Sequence, residues 1–195
     1  MHLLAHRCGL VALFFICLLS ISFVQIAYAA KFALVIGNAN YAQAPLKNPV
    51  NDARAMTLEL ARLGFKVTAL ENASKTEMEE AIVAFDGALS ANATGLCYYA
   101  GHGVQVRGKN YLVPISATMA LERHARVGGV DVGLVTSAME YSRSRVNFFS
   151  LDACRNNPFE RSSRSDSRGL AAVDAATGTL IADATAPGWL GRTRW

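Results

Sequence analysis

Two residues in this chain are placed to do nucleophile chemistry. GLCYYAGHG (95–103) is an apolar run that closes on His102, set between Gly101 and Gly103. FFSLDAC (148–154) closes on Cys154, with Asp152 two positions before it and Arg155 directly after. A thiol becomes a strong nucleophile once it loses its proton. An imidazole within reach takes that proton and can later deliver it to a leaving group. Either residue alone reads more simply as core or as a hydrogen-bonding partner. Together, each at the end of an apolar run, they point to a thiolate–imidazole pair. Cys97 lies inside LCYY and reads as a small apolar filler.

Other chemistries find less support. Beyond the N-terminal leader described below, the histidines are His102 and His124, with no Cys-x-x-Cys or His-x-x-x-His spacing, so no metal site is expected. VIGNANY carries one glycine after its apolar run and matches neither G-x-G-x-x-G nor a Walker A loop. A G-x-S-x-G nucleophile elbow is missing too, which argues against a serine hydrolase of the α/β type.

The elements that must position the pair follow from periodicity. KFALVIG (31–37) reads as a fully buried strand. NPVNDARAMTLELARLG (48–64) reads as a helix, with Asn51 or Asp52 as N-cap, Val50, Met56, Leu60 and Leu63 near one face, and Gly64 as its stop. FKVTAL (65–70) is a second strand. Ser74 and Glu77 form a capping box opening a helix to about Ser90, with Met78, Ile82, Val83 and Phe85 as its apolar contacts. A strand over 95–103 leads into a hairpin over 104–114 that turns at Arg107-Gly108-Lys109-Asn110. A helix near 131–142, a strand over 145–153 ending at Cys154, a polar loop over 155–169 and a strand within 178–187 complete the chain. Strands apolar on both faces, alternating with helices, predict an α/β fold: a three-layer αβα sandwich around a mostly parallel sheet. In such sheets ligands gather at the carboxyl ends of strands, where His102 and Cys154 both sit if their strands are neighbours.

At 195 residues, 52% hydrophobic and 17% charged, the chain suits one domain with appendages. A net charge of +4 without a dense Lys/Arg block gives no reason to expect nucleic acid as a partner. Residues 1–29 differ from the rest. MHLLAHR is mildly basic, an apolar stretch follows, and Ala27-Tyr28-Ala29 is an A-x-A element. That order predicts an export signal, and a secreted or periplasmic protein. The alternative is an uncleaved signal that anchors the chain to a membrane. Cys8 and Cys17 leave with a cleaved signal.

The motifs KFALVIGNANY, PLKNPVNDARAM, YYAGHGVQVRGKNYLVP, LDACRNNPF and GTLIADATAPG together resemble the caspase-like cysteine peptidases, in particular the bacterial caspase-domain proteins. They cover nearly all of the domain expected over 30–188. His102 precedes Cys154 by about fifty residues, the separation given by caspase signatures. The resemblance implies a His102/Cys154 dyad, an oxyanion hole made by the backbone N–H groups of Gly103 and Cys154, and a thioester intermediate. It also implies proteins or peptides as substrates. Asp152 stands where caspases carry Gln. In metacaspase-type members an acidic residue there lines the S1 pocket, with a second from an Asn-Asp motif matched by Asn51-Asp52. Asp52 and Asp152 would then favour Arg or Lys at P1, as two carboxylates in a cleft attract a cation. No cofactor is implied, and calcium dependence enters only by analogy with metacaspases. Asn156 and Ala100 replace the Asp and Ser that relatives often carry. Relatives also continue beyond ATAPG, whereas here PGWLGRTRW (187–195) follows, so the C-terminal part of the domain is expected to be cut short. Asp183 would be awkward in a central strand. The rival expectation is a catalytically weak interaction module that dimerises through an open sheet edge. The Arg-rich loop RSSRSDSRG (161–169) reads first as a solvated flexible loop, and for an enzyme cutting after Arg it is also a candidate self-processing site.

Overall fold

The computed structural model describes residues 29–118, 122–154, 170 and 178–183. The expected export signal (all but its last residue), the loop over 155–169 and the tail beyond 183 lie outside the described residues.

Among the described residues seven strands make one sheet: β1 (Lys31–Gly37), β2 (Lys66–Glu71), β3 (Thr94–Val106), β4 (Lys109–Leu112), β5 (Val130–Asp131), β6 (Val146–Cys154) and β7 (Thr179–Asp183). The parallel part has the order β2-β1-β3-β6-β7. β4 and β5 add an antiparallel corner to the last residues of β3. Four helices are described: α1 (Pro49–Arg62), α2 (Lys75–Ala88), α3 (Glu122–Gly128) and α4 (Val132–Tyr141).

Strand alternation sorts the core into two layers. Ala33, Val35, Tyr98 and Ala100 pack against Ala53 and Leu60 of α1. Their neighbours Leu34, Ile36, Cys97, Tyr99, Phe149 and Leu151 point the other way, onto Met78, Ile82 and Phe85 of α2 and Val135 and Met139 of α4. Each such Leu, Ile, Met or Phe contributes about 1.5–3 kcal/mol of apolar burial. The three-layer arrangement expected from the apolar runs is the one observed.

Several local expectations need correction. α1 starts at Pro49 and is flanked by Asn48, which makes no side-chain cap. Pro lacks the N–H that is orphaned at the first helical position anyway, so it outcompetes a cap at Asn51 or Asp52. Asp52 is left in the first turn, beside the positive end of the helix. Leu63 and Val83, expected to pack, are exposed. β3 does not stop at His102 but continues to Val106, because the hairpin's first arm is the same strand. Its turn has Arg107 and Gly108 both at positive φ, as a tight two-residue hairpin turn requires. The short α3 and β5 fill the segment between the hairpin and the helix near 131–142, for which the apolar pattern predicts no element.

Asn38, buried at the end of β1, ties the layers together. Its Oδ1 accepts from the Ala73 N–H (2.8 Å), its Nδ2 donates to the Val113 carbonyl (3.2 Å), and its backbone N–H donates to the Ala100 carbonyl (2.9 Å). Asn38→Ala leaves the Ala73 N–H without that acceptor in the interior. It is expected to cost about 2–4 kcal/mol in urea unfolding, since each orphaned buried group costs about 1–3 kcal/mol.

Candidate active site

β3 and β6 run side by side in parallel, from Thr94 opposite Val146 to His102 opposite Cys154. Adjacent strands lie about 4.8 Å apart, so the two backbones meet one strand spacing from each other at the carboxyl edge of the sheet. Among the described residues His102 is the last of β3 paired to β6, and from Gly103 on β3 pairs with β4.

The His102 backbone is held by two tyrosines that the sequence reading passed over. Its N–H donates to the Tyr41 hydroxyl (3.0 Å), and its carbonyl accepts from the Tyr99 hydroxyl (2.8 Å) and the Val113 N–H (3.0 Å). A Cβ on Gly101 would stand 2.6 Å from the Tyr99 hydroxyl and 2.7 Å from that of Tyr41, so the glycine makes room for the pair. The available sequence signal was one tyrosine hydroxyl inside the apolar run of β3 and another a few residues after that of β1, because a buried Tyr O–H needs a partner.

The ring is held as well. Nε2 lies 2.7 Å from the Ala44 carbonyl, and the Tyr41 ring stands 4.4 Å away, centroid to centroid. A carbonyl only accepts, so Nε2 carries the proton. In the neutral ring Nδ1 is then the acceptor, which is the form a general base needs. Ala44 has φ +55°, a left-handed conformation uncommon outside glycine, and this loop is what presents the carbonyl to the ring.

The acidic candidates converge on a third tyrosine. Asp152 lies opposite Ala100 in the register, one pleat before the His102–Cys154 pair. Tyr98, buried on the α1 face of the sheet, shares a hydrogen bond with Asp152. Burial pushes the Tyr98 phenol well above its usual range, and the negative charges of Asp152 and Asp52 raise it further. Asp152 is half-buried and Asp52 exposed. One hydroxyl thus feels both carboxylates, one from β6 and one from the first turn of α1.

Cys97 is fully buried opposite Phe149, five positions before Cys154 in the register. At about 3.3 Å per residue that separation exceeds the reach of a disulfide. Burial raises its thiol to about 12, so it stays protonated at neutral pH. Iodoacetamide at pH 7.5 is expected to leave Cys97 unmodified in the folded chain and to reach it in urea, as read by peptide mass. Among the described residues no group of three His, Cys, Asp or Glu side chains is arranged to hold a metal ion.

The profile of the caspase domain of the C14 peptidases matches residues 30–190. The chain belongs to the caspase-domain family. Within it, the chain is 36% identical over 126 residues to the human mucosa-associated lymphoid tissue lymphoma translocation protein 1, covering 64% of this chain and 15% of that one. The mouse homologue is 35% identical over the same length. The match thus spans well under a quarter of those relatives. Among solved structures, a Geobacter sulfurreducens protein superposes with a TM-score of 0.52 at 20% identity, over 65% of this chain and 51% of the other. That likeness concerns the fold. The caspase-domain match contains every candidate residue: Asp52, His102, Gly103, Asp152 and Cys154.

Proposed function

We propose that this caspase-domain chain is a cysteine endopeptidase that cleaves after Arg or Lys. The observation that carries the proposal is the register of His102 opposite Cys154, with the imidazole held so that Nδ1 is the acceptor. His102 Nδ1 takes the Cys154 proton, and the thiolate attacks the scissile carbonyl carbon. The backbone N–H groups of Gly103 and Cys154 stabilise the oxyanion. His102 then protonates the departing amine, and water hydrolyses the thioester. Asp152 and Asp52 attract the P1 guanidinium or ammonium. The chemistry draws on protein groups alone. Export through the leader over 1–29, to a periplasmic or secreted location, is part of the same proposal.

A second reading rests on the sheet edge. Among the described residues β7 has β6 as its neighbour, and Leu180 on it is exposed. Such an edge suits pairing with another chain, as in a weakly catalytic interaction module or a dimer.

The test is turnover of fluorogenic peptides with P1 Arg, Lys, Asp or Ala, with and without calcium, against Cys154→Ala as the blank. Cleavage of Arg or Lys peptides that the blank lacks supports the peptidase. Cleavage of Asp peptides would keep the dyad and remove the acidic pocket. No turnover from a folded chain would favour the interaction module.

A further inference from the structure

A cavity of about 260 Å³ opens beside His102. The His102 ring forms part of its wall, and Tyr41, Ala44, Val104, Val113 and Ile115 contribute apolar surface. Among the described residues no Asp, Glu, Lys or Arg lines it, and neither does Tyr98; Gln43, Ser116 and Thr118 add polar groups on its exposed side. Along β3 the level of Asp152 is Ala100, that of Cys154 is His102, and the cavity adjoins the next pleat, Val104. Asp152 and the cavity therefore lie on opposite sides of the His102 level.

We infer that this cavity is the primed-side subsite and takes an aliphatic side chain from the residue that follows the scissile bond. The inference rests on the peptidase reading. With Nε2 bound to the Ala44 carbonyl, Nδ1 is the nitrogen left to hand a proton to the leaving amine. That amine belongs to the P1′ residue, whose Cα is one bond away. The P1′ side chain must then fall against the imidazole, and the space against the imidazole is this cavity. Its size decides what enters. Pockets that enclose whole small ligands run to about 300–1,000 Å³, so this one suits a single side chain. Its walls decide the chemistry. An ammonium would lose water there with no carboxylate beside it among the described residues and with the His102 imidazole against it, whereas Val or Leu finds apolar contacts.

The test is kcat/KM for peptides with Arg at P1 and Gly, Val, Leu, Asp or Lys at P1′. Rates are expressed per site titrated by a peptidyl-Arg chloromethyl ketone, which loses chloride to the thiolate and carries no P1′ residue. Val or Leu is expected to exceed Gly by about tenfold and Lys by about a hundredfold, with Asp between them because its carboxylate meets the His102 imidazolium. Ile115→Phe, which fills the cavity, is expected to reverse the Val-to-Gly preference. Ile115→Ala, which enlarges it, is expected to shift the optimum from Val towards Leu. Equal rates across the P1′ series with normal ketone titration would overturn the subsite and leave the peptidase standing. A ketone that titrates no sites and peptides that are not cleaved would remove the peptidase reading and the subsite with it. If Ile115→Phe does not fold, the shift in Ile115→Ala decides.

Discussion

Replacing His102 by alanine is expected to lower kcat/KM for a P1 Arg peptide by about 10²–10⁴-fold, the range for losing a general acid–base. The argument starts from the hydrogen bonds. The His102 backbone is held through Tyr41, Tyr99 and Val113, and none of those bonds uses the imidazole. Alanine keeps the same backbone donor and acceptor, so β3 and its pairing to β6 should survive. The ring gives up one hydrogen bond, to the exposed loop carbonyl of Ala44. Unfolding in urea is therefore expected to change by about 1 kcal/mol, the usual net value of one hydrogen bond. Alkylation of Cys154 by iodoacetamide at pH 7 should slow as well, because the thiol loses the base that takes its proton. A variant that keeps its stability and its Cys154 reactivity but loses turnover would assign His102 to the leaving group alone. A variant that keeps its turnover would end the dyad.

The parts of this protein visible in sequence were those governed by local pattern. The apolar runs of β1, β3 and β6 state their burial on both faces, and the Ser74/Glu77 capping box fixes the start of α2. The proposed pairing of His102 with Cys154 is legible for a related reason, because each residue closes an apolar run. What sequence did not show depends on contacts across the fold. Tyr41 and Tyr99 read as apolar bulk, yet their hydroxyls meet within 3.3 Å, Tyr41 holds the His102 N–H and Tyr99 holds its carbonyl. Ala44 carries no side-chain signal at all, since its contribution is a carbonyl turned by a left-handed φ. Asp52 reads in sequence as a helix cap, and the start of α1 at Pro49 removes that role. That correction bears on function, because a carboxylate bound to backbone N–H groups would be less available to a substrate cation.

Asp152→Asn is expected to lower the ratio of kcat/KM for P1 Arg over P1 Ala by about 30-fold or more. Removing one member of a desolvated charge pair costs about 2–5 kcal/mol, and about 1.4 kcal/mol is a factor of ten. Asparagine has nearly the same shape, and its carbonyl oxygen can still accept from Tyr98, so the substitution removes charge rather than packing. Asp52 is exposed and its field is screened by water and salt. Asp52→Asn is therefore expected to lower the same ratio by about tenfold at most, and less as ionic strength rises. The double variant tests whether the two carboxylates act on one cation. If they do, the combined loss departs from the product of the single losses, because neighbouring groups sharing a partner are not additive. Tyr98 supplies a readout that needs no substrate. Its ionisation is raised by both carboxylates in addition to burial, so each substitution should bring its alkaline absorbance transition down in pH. A transition that moves while the Arg-to-Ala ratio stays fixed would place the acids beside Tyr98 but outside the P1 pocket. A ratio that collapses together with the shift would make the two carboxylates the source of basic specificity.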